Sequence, residues 1–210
     1  MASTSVEKRG ASQSPARDHN RQSACYGVAM RVWTIQSPEV FAVLQAGRVW
    51  RARERHVPRE WLTSYRWMVG MMRERLGPPA APTQMPVWLW CTWRGHSRRK
   101  PDLRASGHLP RGAQGVRLEV EIEEARVLRS DFELWHYVLN GWYLPQSAQD
   151  EREIEGRPDD VLIAANWRRI FDLGWNDRRY VAARDRRSIQ GVCWELRPAD
   201  VVDASMFRAR

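Results

Sequence analysis

Lysine is nearly missing from this 210-residue chain: Lys8 and Lys100 are its two lysines among 34 basic residues. Arginine carries almost all of the positive charge, and its planar fork suits bidentate contacts to phosphate and carboxylate. A GC-rich coding bias accounts for the ratio but not for the net charge of +9, which favours anionic partners. Cysteine is also scarce. Cys25, Cys91 and Cys193 are far apart, odd in number and without a CxxC pair, which excludes a disulfide scaffold and fits a reducing compartment. A zinc set of Cys91, His96 and His108 can be drawn, yet its spacing matches no compact ligand signature, so no metal is expected. Long apolar runs are absent. PVWLWCTW (86–93) is far too short to span a bilayer, and the N-terminus has no apolar secretory region, so a cytoplasmic, membrane-free protein is expected. Neither a Walker loop nor a Gly-rich dinucleotide fingerprint occurs, and no cofactor is evident.

What is present is a globular composition, 43% hydrophobic and 28% charged, with twelve tryptophans. A tryptophan brings a large apolar area and an N–H that needs an acceptor when buried. Residues 1–29 are polar, Ser-rich and aperiodic, and are expected to be a disordered tail. Residues 30–210 are expected to form a single compact domain. Strands are predicted at 31–36, 48–52, 86–93, 115–122 and 188–196. GVRLEVEI alternates strictly, with Val116, Leu118, Val120 and Ile122 on one face. Helices are predicted at 37–47, behind Ser37 as cap, and at 58–77, where Trp61, Leu62, Tyr65, Met68, Met72 and Leu76 share a side. NWRRIFDLG (166–174) reads as a helix end, and 147–160 as a solvated loop. Strands and helices interleave without a βαβ repeat, so the class is α+β, with a mixed or antiparallel sheet, several packed helices and a Trp-rich core.

VLRSDFELWHYVLNGWY (127–143) reads as a capped helix. Ser130 and Glu133 fit a capping box, Asp131 suits the first turn, and Gly141 offers a stop. Phe132, Leu134, Trp135, Val138, Leu139 and Trp142 make the apolar half. His136 and Asn140, four apart on the remaining edge, are left over and are candidate ligand contacts.

The stretch that asks for a ligand is RGHSRRKPDLRASGHLPRG (94–112). It sets Arg94, Arg98, Arg99, Lys100, Arg104 and Arg111 against Asp102, with His96 and His108 inside and Trp88, Trp90 and Trp93 before it. Positive charge beside aromatic faces is the combination that holds nucleotides or a nucleic-acid backbone. In KPDLR, Pro101 stiffens the approach and Asp102 is placed to pin Arg104. Ligand-binding candidates are therefore Arg98, Arg99, Lys100, Asp102, Arg104, His108, His136 and Asn140.

RVWTIQS, SYRWMVGMM, PVWLWCTW, KPDLR with SGHLPRGAQGVRLEVEI, VLRSDFELWHYVLN, NWRRIFDL, SIQGVCWEL and the terminal FRAR together resemble the bacterial family known as domain of unknown function 3841. That resemblance spans nearly all of 30–210 and implies no catalytic roles. The expected function is binding of an anionic small molecule or nucleic acid through the loop 94–112. An alternative is a nucleotide-dependent transferase: the opening strand–helix–strand and a late strand bearing Glu195 resemble ADP-ribosyltransferases. That likeness implies NAD as cofactor, gripped by Arg104 and His108, and Glu119, Glu121 or Glu195 as the carboxylate stabilising a cationic sugar. A protein partner, docked on exposed tryptophans, is a third reading.

Overall fold

A computed structural model describes residues 27–154 and 159–210, apart from the side chains of Arg98 and Asp160. Most of the expected tail, residues 1–26, lies outside the described residues. Along the chain come β1 (Ala29–Gln36), α1 (Pro38–Gln45), β2 (Ala52–Arg53), α2 (Leu62–Leu76), β3 (Gln84–Met85) and β4 (Val87–Thr92). After them come β5 (Gln114–Glu123), β6 (Leu128–Asp131), α3 (Phe132–Leu139), α4 (Ala148–Glu153), α5 (Asp160–Asn166), β7 (Ile189–Cys193) and β8 (Val201–Arg208). No helix among the described residues is long and apolar enough to cross a membrane.

Six strands form one sheet in the order β6-β7-β4-β1-β5-β8, and every neighbouring pair is antiparallel. The domain is therefore α+β, and of the two sheet types expected it has the antiparallel one. Strand alternation sorts the core into two layers. Val32, Leu89, Cys91, Val116, Leu118, Val120 and Ile122 pack with Val40 and Leu44 of α1. On the opposite face Leu128 and Val192 pack with Met68 and Met72 of α2, Leu134, Trp135 and Val138 of α3, and Trp167 and Ile170. Ten of the twelve tryptophans are at least partly buried, while Trp61 and Trp142 are exposed. Three of the buried or partly buried indoles donate to backbone carbonyls, Trp67 to Ala164, Trp167 to Trp142 and Trp194 to Gly77, whereas the buried Trp88 Nε1 has no partner among the described residues.

Several local expectations are corrected. The strand foreseen at 48–52 is reduced to a bridge between Trp50 and Leu196 and the two-residue β2, paired with β3 rather than with the main sheet. Trp61 leaves the helical stripe because a 3₁₀ turn, Arg59–Trp61, precedes α2. Ser37 holds the N-cap position of α1 but its hydroxyl caps nothing. The segment 147–160 is not a plain loop: Ser147 caps α4 and Asp159 caps α5, since short side-chain oxygens that accept from orphan amides start helices even without an apolar stripe. Residues 155–158 of that segment lie outside the described residues. β8 was not foreseen. As an edge strand with Val202 and Met206 exposed, it shows no apolar face to read.

Candidate anion-binding site

All the chemistry of interest gathers at one end of the sheet, where β1 begins and β4, β5 and β6 end. The helices of the second layer cover β6, β7 and β4. The outward residues of β1 and β5 are covered instead by the loop between β4 and β5, which is the basic stretch. Its contacts run through the strands: Lys100 donates to Glu119 (3.2 Å), Arg117 donates to the Pro101 carbonyl (2.8 Å), and Arg99 donates to the carbonyls of Cys91 (3.4 Å) and Arg31 (3.2 Å). The Arg99 guanidinium also lies over the Trp33 ring.

Under this loop opens a cleft of about 910 Å³ bordered by Trp33, Trp93, Arg94, Arg99, Lys100 and Arg104, among others. Asp102 pins Arg104 as the KPDLR spacing suggests. Arg104 donates to it from Nε (3.0 Å), Nη2 (2.9 Å) and the backbone amide (3.0 Å), and these bonds hold the Asp102 carboxyl well below its usual range. Both side chains are exposed, so the pair sets a pose rather than contributing stability. His108 stands behind the wall: its Nε2 donates to the Asp102 carbonyl (2.9 Å) and its ring packs on Trp93.

The Glu119 side chain is only 13% exposed. It accepts from the Trp33 indole (3.1 Å) and from Lys100, and pairs with Arg31 (3.2 Å); chiefly through the Trp33 bond, its carboxyl is held below the ordinary value. Glu121 pairs with Arg31 at the surface. Glu195 lies at the opposite end of the sheet, between Arg51 (2.7 Å) and Arg197 (2.8 Å). The structure thus brings Arg99, Lys100, Asp102 and Arg104 together with Glu119, and sets Glu195 apart. The Arg98 side chain lies outside the described residues. His136 and Asn140 do not border the cleft. His136 Nδ1 donates to the Phe132 carbonyl (3.0 Å) and Asn140 donates to the His136 carbonyl (2.7 Å), so both serve their own helix. The cap of α3 is Asp131, which accepts from the Leu134 amide (3.0 Å), whereas Ser130 is buried in β6 with no partner for its hydroxyl among the described residues. Cys91 is buried, and burial pushes its thiol up to about 12.

Sequence reasoning overlooked Arg187, which joins the loop to the rest of the domain. Only 7% exposed, it donates from Nε to Asp131 and from Nη1 to the carbonyls of Leu173 (2.8 Å) and Trp175 (3.0 Å). Its own carbonyl accepts from the Gly95 amide (3.0 Å) and from Thr92 Oγ1 (3.3 Å). Nη2 is buried with no partner among the described residues, at a cost of about 1–3 kcal/mol for such a group. A signal was present: NDRRYVAARDRR (176–187) holds five arginines against two aspartates.

Fold and site together define an antiparallel α+β domain whose tryptophan-walled cleft is lined by arginine. The chain belongs to the family described as Domain of unknown function (DUF3841), whose model matches residues 31–163. NWRRIFDL, SIQGVCWEL and FRAR lie beyond that match, as do Arg187, β7 and β8. No curated protein and no solved structure matches the chain.

Proposed function

We propose that this domain binds a phosphate-bearing ligand of the nucleotide kind in the cleft beneath the basic loop. The observation that carries the reading is the convergence of Arg94, Arg99, Lys100 and Arg104 on one concavity beside Trp33 and Trp93. Guanidinium forks match phosphate oxygens, and the partly buried Trp93 offers an apolar face to a base. Asp102 and Glu119 offset two of the four cations, which leaves a net attraction for a polyanion. The volume suits one nucleotide better than a strand, because small-molecule sites span about 300–1,000 Å³. NAD cleavage draws less support: Glu119 and Glu121 are taken up by cationic partners, and Glu195 stands at the far end of the sheet.

Titrating the protein with ATP, NAD and a short single-stranded oligonucleotide while following tryptophan fluorescence tests the reading. Saturable binding of a mononucleotide is expected, weakened about tenfold or more by Lys100→Glu with Arg104→Glu. Tighter binding of the oligonucleotide, with a steep salt dependence, moves the ligand to nucleic acid. No saturation by any of the three defeats the proposal.

A further inference from the structure

A second pocket, of about 470 Å³, lies behind the loop on the α1 side of the sheet end. Four guanidinium groups border it from three segments: Arg99 from the loop, Arg129 from β6, and Arg184 and Arg187 from the approach to β7. No carboxylate borders it among the described residues. Two carboxylates act from behind, Asp131 on Arg187 and Glu124 on Arg129 (3.4 Å), which leaves two of the four charges unbalanced. Arg184 has no side-chain hydrogen bond or ion pair among the described residues, and Arg187 Nη2 is the unpartnered donor described above. Met30, Cys91, Leu173 and Ile189 give the same pocket an apolar lining.

We propose that this pocket binds a small phosphomonoester dianion carrying an apolar substituent, held by Arg99, Arg129, Arg184 and the buried Arg187. A tetrahedral group with three free oxygens can accept from guanidinium forks on several sides at once, whereas a carboxylate offers two oxygens. Two unbalanced positive charges match a dianion. The buried arginine is already ordered by Asp131 and two backbone carbonyls, so it meets the ligand without losing side-chain freedom. This site does not require the nucleotide reading, but it shares Arg99 and His96 with the first cleft.

Calorimetry with phenyl phosphate on the full chain tests it, with benzoate as the carboxylate probe. Saturable binding of phenyl phosphate is expected at neutral pH, about tenfold or more weaker for Arg184→Ala and for Arg129→Ala. Binding is expected to weaken as pH falls through the second phosphate ionisation near about 6. Arginine modification by phenylglyoxal, mapped by mass spectrometry, is expected to show protection of Arg184 by phenyl phosphate. Both substituted residues are exposed, so the variants keep the Asp131–Arg187 pair and fold. Protection confined to Arg94 and Arg104 would put the phosphate in the first cleft and overturn the proposal, as would equal affinity for benzoate or absence of saturation.

Discussion

Gly95→Ala is the sharpest perturbation of the junction between the basic loop and Arg187. Gly95 has φ 75° and ψ −177°, a region essentially closed to residues with a side chain. A Cβ there would stand 1.9 Å from the Asp185 carbonyl oxygen and 2.4 Å from its carbon, both backbone atoms that cannot swing aside. The conformation alone costs about 1–3 kcal/mol, and forcing the segments apart adds about 1–3 kcal/mol. Together they are a large share of a total stability of about 5–15 kcal/mol. Gly107→Ala supplies the control, because Gly107 has φ 88° but nothing within 4 Å of the added carbon. Urea unfolding followed by tryptophan fluorescence is expected to show Gly95→Ala destabilised by at least about 1 kcal/mol more than Gly107→Ala, the contact cost alone. Equal midpoints for the two variants would refute the tight docking of the loop against residues 185–187.

Two further predictions bear on the charges that hold this end of the sheet. Arg187→Leu strands the fully buried Asp131 and is expected to cost about 3–5 kcal/mol in urea unfolding, part of it recovered by adding Asp131→Asn, which keeps a capping oxygen. A cost under about 1 kcal/mol would show that the pair is dispensable. Glu119→Gln is expected to cost about 1.5–3 kcal/mol at neutral pH. The Trp33 indole holds the Glu119 carboxyl below its ordinary 4.5, so its stabilisation is complete above that value and lost as pH falls through the lower folded one. The gap between wild type and Glu119→Gln should therefore close in acid, and a gap independent of pH would exclude the ionised carboxylate as its source.

β5 and β4 were legible because each carries its instruction locally: one alternates strictly, the other is an apolar run flanked by turns. α3 was legible as a helix, but its cap was misplaced by one residue. Ser130 and Asp131 are both good caps; β6 runs through Ser130 and ends at Asp131, so the helix starts one residue later than expected and Asp131 takes the Leu134 amide. The basic loop announced itself through charge density. The Arg187 run is as dense, yet its meaning lies in contacts with Asp131, Leu173 and Trp175, which no spacing reveals. His136 and Asn140 looked spare because each caps or bonds the backbone of its own helix, an occupation invisible in side-chain periodicity.

The strand order sets a timetable for synthesis. β7 sits between β6 and β4, so residues 128–131 have no neighbour in the sheet until residues 189–193 have been made. A nascent chain that has emerged only as far as residue 163 can zip β4, β1 and β5 but must leave β6, and the arginine anchor that follows α5, waiting. The anchor is then set only once residues 187–193 have emerged, and the helical layer built on β6 can close over the sheet only after that.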